Sequence, residues 1–353
     1  MAQRREPGGV SDGKATLEVV AREAGVSRAT VSRVINGGQR VDPRTLRNVE
    51  KAIERLGYSP NRAARSLVTR RSDSIGLVIP EPTARLFGDP FFPRLVRGIS
   101  ETLSARDLQL VLLAPQSRAD ENRLRSYLTS GHVDGALLVS LHADDPLPGY
   151  LVSANIPVVV GGRPPDGLSI SYVDMDNVNG ARAAVEHLIA IGRRHIATVA
   201  GPGDMAAATD RLRGYREALA AAGIKHDARL EVGADFDQDL AQQRVAQLLA
   251  RHHEIDAIFA ASDLMALGVL QALRGAGRSV PDDVAVVGFD DSAVAQAAEP
   301  PLSSVRQPIE EMGREMTRLL IDSLAPKGRV ARRLILATEL VVRASSGGDA
   351  AAD

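Results

Sequence analysis

Apolar positions follow one rhythm up to about residue 60 and another from residue 74. In "TLEVVAREAGVSRATVSRVINGG", Val20 and Ala24 share a face at i, i+4 before Gly25 interrupts. Val31, Val34 and Ile35 then form one stripe, and Arg28, Ala29, Ser32, Arg33 and Asn36 form the opposite one. Leu46, Val49, Ile53 and Leu56 make a third helical stripe. Capping chemistry agrees: Thr16 and Ser27 suit N-caps, Asp42 with Pro43 opens the third helix, and Gly25 and Gly37-Gly38 end the first two. The spacing predicts an all-α head over 15–60. It has a helix-turn-helix plan, with a second helix that buries one side and offers polar side chains on the other.

From residue 74, short apolar runs alternate with amphipathic helices. The predicted strands are "SIGLVIP", "LQLVLLAP", "VDGALLVS", "IPVVVGG", "HIATVAG", "IDAIFAAS" and "VAVVGFD". Between them, helices are predicted over 92–106, 119–130, 177–191, 210–222, 237–252, 263–275 and 308–324. Fully apolar strands separated by helices indicate parallel sheets covered on both faces. The pattern occurs around 74–172 and again around 173–300. It predicts an α/β body over 74–343, built of two doubly wound parallel-sheet lobes with a ligand crevice at the C-terminal strand ends. "ARRLILATELVVRAS" reads as closing strands, residues 1–14 as a disordered arm and 344–353 as a disordered tail.

The stretch between, "NRAARSLVTRRS" (61–72), fits neither rhythm. Its residues favour helix, but only Leu67 and Val68 are large and apolar, against four arginines. Such a segment cannot bury enough surface to fold alone, so 61–73 reads as a linker that becomes helical only against a partner.

Charge sharpens this division. Residues 1–72 carry 15 Lys/Arg against 7 Asp/Glu, and the remainder carries 28 against 37. A basic module on a mildly acidic body points to a polyanion partner for the head. Arg28 and Arg33 are suited to bidentate donation to guanine, and Ala29 to contact with a thymine methyl. Ser27, Thr30, Ser32 and Asn36 suit phosphate oxygens. Cysteine is absent, so no disulfide or thiolate metal site arises, and no apolar run approaches membrane-spanning length. With no secretion signal at the N-terminus, a cytoplasmic protein without membrane contact is expected.

No catalytic or cofactor motif stands out. "DMDNVNG" (174–180) superficially resembles a calcium loop, but Val178 occupies the fifth ligand position, and a helix cap is the better reading. His187, His195, His252 and His253 lack metal-ligand spacing. The placement of the six phenylalanines is more telling, because the chain has no tryptophan. Phe87, Phe91 and Phe92 follow the first strand, Phe236 follows another, and Phe289 ends "VAVVGFD", whereas Phe259 reads as core. Aromatic faces at strand ends suit the C–H face of a pyranose, and Arg211 and Asp290 can each engage neighbouring hydroxyls.

"GVSRATVSRVING", "LGYSPNRAARSL" and the two-lobed body resemble, in order over about residues 15–343, the lactose-repressor family of bacterial transcription factors. The resemblance implies that the body is periplasmic-binding-protein-like and that the chain crosses three times between its lobes. It implies that 61–69 form a hinge helix ordered on operator DNA, that Leu67 wedges the central base step, and that Asn61, Arg62 and Ala64 line the groove or phosphates. Thr16 and Tyr58 complete the candidate DNA contacts. Arg211 and Asp290 fall where members bind an effector sugar, and Phe92, Phe236 and Ser262 fall at pocket positions. Phe87, Asp89, Phe91, His142 and Arg163 complete the candidate effector set.

Two departures stand out. Ser262 replaces a frequent Asn, and Gly161-Gly162 precede Arg163 where many members have Asp, which removes volume and would admit a second sugar ring. "SLHADDPLPGYL", "GGRPP", "AEPPLSSVRQP" and "MGREM" are most like the cellobiose-responsive repressors of high-GC Gram-positive bacteria. The expected protein is a homodimer on a roughly palindromic operator, released by cellobiose or a related oligosaccharide, without metal or cofactor. Its dimer contact is expected near helices 92–106 and 263–275. A transport-type sugar-binding protein with a basic extension, a sugar-processing enzyme with a regulatory head, and a repressor that uses the ligand as co-repressor remain alternatives.

Overall fold

The computed structural model describes residues 15–35, 41–58, 71–165, 167–325 and 330–348. They fall into two compact units that divide after Ser72. In the first unit, helices α1 (Leu17–Ala24) and α3 (Pro43–Leu56) begin and end at the predicted caps and stops, and α2 (Arg28–Ile35) begins after Ser27; its predicted stop at Gly37-Gly38 lies outside the described residues. The Asp42 carboxylate accepts from Arg44 and Thr45 N–H, both at 3.0 Å, so two N-terminal amides of α3 are satisfied. Gly25 and Gly57 stop α1 and α3 at φ 66° and 57°, a conformation costly to residues with a Cβ. Val20, Ala21, Val31, Val49 and Ala52 make the buried centre, where all three helices meet.

Among the described residues the second unit has twelve strands: β1 (Ser74–Val78), β2 (Gln109–Leu113), β3 (Gly135–Val139), β4 (Val158–Gly161), β5 (Ser171–Met175), β6 (Ile196–Ala200), β7 (Glu231–Gly233), β8 (Ala257–Ala260), β9 (Ala285–Asp290), β10 (Ser303–Arg306), β11 (Arg333–Leu336) and β12 (Glu339–Val341). They form two six-stranded sheets, ordered β11-β5-β4-β3-β1-β2 and β12-β10-β9-β8-β6-β7. Every pairing is parallel except that of β12 with β10. Central strands such as β3 and β8 are buried along their whole length because helices cover both sheet faces.

The lobes exchange chain at three places: Met175 to Asn177, Arg306 to Ile309, and Leu336 to Glu339. Helix Ile309–Ser323 packs Ile309, Met312, Met316 and Leu320 into the first lobe's core. Three expectations need correction. The second lobe begins after Met175 rather than at 173, because β5 pairs with β4 and β11. The closing strands split, β11 joining one lobe and β12 the other. Nor does the tail start at 344: Ser345 and Ser346 are buried, and Ser345 Oγ donates to the Val286 carbonyl at 2.7 Å. Strands β5, β7 and β10 escaped the apolar-run criterion because each mixes polar residues into a short span. In β10, Ser303 and Ser304 are buried yet hydrogen-bonded, so burial costs little.

Candidate functional site

On the head, α2 buries Val31 and exposes Ser27, Arg28, Ala29 and Arg33, as its two stripes require. Thr30 and Ser32 are half-buried. Ser27 is occupied as a cap, with its Oγ accepting from Thr30 N–H at 3.1 Å, and Thr16 caps α1 in the same way at 3.4 Å. Arg28 reaches Glu18 of α1 at 3.2 Å, both side chains being open to solvent. Tyr58 packs half-buried against the core of the head. Asn36, Asn61, Arg62, Ala64 and Leu67, with the hinge segment, lie outside the described residues.

In the second unit a cleft opens between the lobes at the C-terminal strand ends, enclosing about 760 Å³ when the part open to solvent is included. Of the candidate effector residues, Asp89, Phe91, Phe92, Arg163, Arg211, Phe236, Ser262 and Asp290 line it together. Phe87 and His142 do not. Phe87 is 69% exposed, because helix Thr83–Gly88 turns Leu86 inward instead. The His142 ring bonds the Asp204 carboxylate at 2.7 Å, and Ala143 N–H donates to the Asp204 carbonyl at 2.9 Å, so this loop bridges the lobes outside the lining. Arg163 also bridges them, as a two-point pair with Asp210 at 2.8 and 3.0 Å.

The polar centre is Arg211, only 5% exposed. Its Nε donates to Asn177 Oδ1 at 2.8 Å and its Nη1 to the Ala261 carbonyl at 2.6 Å. The guanidinium lies 3.8 Å from the Phe289 ring centre and 3.9 Å from Asp290 Oδ1. Burial draws its pKa down, opposed by Asp290, Asp174, Asp263 and Asp89. Burial equally pushes Asp290 well above the usual carboxylate range, against the pull of Arg211. Asp89 and Asp174 are raised for the same reason, with backbone amides of Phe91 and Met175 pulling back. A guanidinium and several carboxyls around one cleft offer donors and acceptors that suit ligand hydroxyls.

The aromatic walls are built by local backbone chemistry. Phe91 and Phe92 meet edge to face at 5.4 Å at the start of helix Phe91–Ser104. Phe236 sits at φ 60° after β7, and its ring occupies space that a side chain at position 201 would take: a Cβ on Gly201 would lie 2.4 Å from Phe236 Cζ. Ser262 caps helix Asp263–Gly275, accepting from Met265 N–H at 3.2 Å. Of the two departing glycines, only Gly162 gives the cleft room. A Cβ on Gly161 would meet Met316 Sδ at 2.9 Å, whereas one on Gly162 would meet nothing within 4 Å.

Arg85, Asp174, Asn177 and Gln307 also line the cleft and were not anticipated. Asp176 does cap the helix beginning at Asn177, accepting from Asn179 N–H, as "DMDNVNG" suggested. That reading hid the neighbours Asp174 and Asn177, both buried, one bonding the other and the second orienting Arg211. Gln307 donates to the Asp290 carboxylate from a lobe crossover.

A basic helix-turn-helix head carried by a two-lobed body with a hydroxyl-matched cleft defines a ligand-responsive DNA-binding regulator. Comparison with known proteins agrees. Residues 16–61 match the bacterial regulatory proteins of the lacI family, and residues 185–346 match the periplasmic binding protein-like domain. The transcriptional regulator CelR of Thermobifida fusca is 52% identical over 98% of this chain and 100% of its own length. A structure described as a CelR–cellobiose complex superposes with a TM-score of 0.76 at 50% identity, covering 94% of this chain and 99% of that one. The lac repressor dimer bound to operator and an anti-inducer superposes at 0.83 with 27% identity, covering 95% and 99%. The chain belongs to the lacI family of bacterial regulatory proteins. The relatives named are transcriptional regulators.

Proposed function

We propose that the protein represses carbohydrate-utilisation genes as a homodimer on a roughly palindromic operator, and that cellobiose in the interlobe cleft releases it. The observation that carries this reading is the cleft itself. Arg211 and Asp290 stand as a buried donor–acceptor pair beside Phe92 and Phe236, in a chain 52% identical to CelR. One ring of the disaccharide would stack on an aromatic face while its hydroxyls engage Arg211, Asp290 and Asp89. The space left at Gly162 serves the second ring. Ser262, Phe91 and Arg163 complete the lining. The protein is not an enzyme in this reading, needs no cofactor, and acts in the cytoplasm.

Arg28, Ala29 and Arg33 would read base edges, with Ser27, Thr30, Ser32, Asn36, Thr16 and Tyr58 placing the head on the backbone. Residues 61–69 would order on DNA, with Leu67 as a minor-groove wedge and Asn61, Arg62 and Ala64 beside it. For cellobiose to release the operator, it must bind the low-affinity state more tightly, since a ligand indifferent to the two states shifts nothing. Titration calorimetry with cellobiose, maltose and glucose tests the effector. Cellobiose should bind best, and maltose binding without cellobiose binding would overturn the assignment. Fluorescence anisotropy of labelled operator tests the sign, and tighter operator binding with cellobiose would reverse it. Hydrogen exchange should find 61–69 protected with operator and unprotected without.

A further inference from the structure

We propose that Arg94 is a positioning residue of the effector site, holding the Asp290 carboxylate at its working angle from the opposite lobe. This rests on the reading of Asp290 as a sugar grip. Asp290 and Asp291 have φ of 121° and 48°, backbone conformations that residues with a Cβ adopt only under external restraint. The restraints are visible. Asp291 is anchored within its own lobe: Arg306 and Arg343 donate to its carboxylate at 2.7 and 2.6 Å, and its N–H donates to Ser304 Oγ at 3.0 Å. The Asp290 carbonyl instead accepts from Arg94 Nη1 at 3.1 Å, across the cleft from helix Phe91–Ser104 of the first lobe.

The same guanidinium donates through Nη2 to the carbonyl of Gln307 at 3.4 Å, and Gln307 is the residue whose amide holds the Asp290 carboxylate. Arg94 therefore touches the backbone of the grip and the backbone of the side chain that aims it. Glu310 fixes the guanidinium by two-point pairing, 2.9 Å at both Nε and Nη2. The base of the arginine has little freedom, because its helix meets helix Ile309–Ser323 backbone to backbone. A Cβ on Gly98 would lie 2.0 Å from the Glu310 carbonyl, and one on Gly313 would lie 2.5 Å from that of Leu95. Helix Phe91–Ser104 also carries Phe91 and Phe92 into the cleft, so one rigid element sets both an aromatic wall and the carboxylate facing it. A lobe rotation would have to break or remake the Arg94 bonds, which ties the grip's geometry to the lobe arrangement.

The test uses the full chain and titration calorimetry with cellobiose, with thermal melting as the check on folding. Arg94→Met should weaken cellobiose binding at least about tenfold, the scale of losing a charge-assisted hydrogen bond. Glu310→Gln, which removes the two-point pairing but leaves both donations to the carbonyls, should weaken it less. Arg94→Lys, which keeps one donor of similar reach, should recover part of the loss and serves as the readout if the methionine variant does not fold. Cellobiose affinity within about threefold of the wild type in Arg94→Met, or indistinguishable from the wild type in Arg94→Lys where that variant stands in, overturns the proposal. So does a loss in Glu310→Gln as large as in Arg94→Met, because the arginine would then merely tie two helices together. Asp290→Asn separates this from the underlying reading: intact binding there removes the sugar site itself, whereas loss there with intact Arg94→Met binding removes only the positioning role.

Discussion

Replacing Asp290 by asparagine isolates the charge of the proposed grip, because the shape and one acceptor oxygen are kept. Asp290 is 8% exposed, and its carboxylate stands 3.9 Å from Arg211 Nη1. At an effective dielectric of about 20 that attraction is ~4 kcal/mol. Burying the carboxylate costs several kcal/mol in the other direction. The two largely offset, burial pushing the Asp290 carboxyl up and Arg211 pulling it back. Arg211 keeps its bonds to Asn177 and Ala261, and Gln307 keeps an acceptor, so global stability should change by about 1 kcal/mol or less. Sugar binding should respond quite differently. A hydroxyl bonded to the carboxyl is worth ~1–3 kcal/mol, which converts to roughly 5- to 150-fold in Kd. Calorimetry reads that loss directly. The sugar concentration that half-releases labelled operator should rise by a similar factor, since the two bindings are linked. A Kd within about twofold of the wild type, with melting unchanged, would show that the carboxylate does not meet the sugar.

Further expectations come from other parts of the molecule. Gly201→Ala places a Cβ 2.4 Å from Phe236 Cζ, so the ring must move; a loss of ~1–3 kcal/mol in stability is expected from denaturant melts, together with weaker sugar binding. Arg33→Ala should cost ~1–3 kcal/mol on operator but little on random DNA, and equal losses in a competition assay would mean a phosphate contact instead. Burial raises the Asp263 carboxyl to about 6 against the bonds it accepts from Ser292 and Ser304. The folded state therefore keeps a proton that the unfolded chain releases between about pH 4 and pH 6, and stability falls as pH rises through that window, by ~2–3 kcal/mol in all. Melting across pH 4–7 should show a steeper fall in the wild type than in Asp263→Asn, because the raised carboxyls of Asp89, Asp174 and Asp290 keep part of the slope in the variant.

Much of this protein can be read along the chain because its elements obey local rules. Caps at Thr16 and Asp42, stops at Gly25 and Gly57, and the two stripes of α2 are decided by residues within a turn of one another. The alternation of apolar runs with helices likewise fixes two parallel-sheet lobes, since only strands buried on both faces can be apolar throughout. Arg211 and Asp290 are legible as charged residues that go with aromatics at predicted strand ends and from the family resemblance, and both do line the cleft. Local pattern also misleads where two readings share one sequence. "DMDNVNG" is a helix cap at Asp176 and, at the same time, the source of two cleft residues, Asp174 and Asn177.

What only the tertiary structure decided concerns pairs far apart in sequence. Phe87 and Phe92 look alike along the chain, yet the packing of Leu86 turns one to solvent and the helix at Phe91 sends the other into the cleft. Gly161 and Gly162 differ because Met316, more than 150 residues away, fills the space beside one and not the other. The bridges from Arg163 to Asp210, His142 to Asp204 and Arg94 to Asp290 join different lobes, and no periodicity records which partners they will find. Local sequence determines which backbone conformations and faces are cheap. Which distant groups share a desolvated cleft, and which can be charged there, depends on how three crossovers bring two separately packed sheets together.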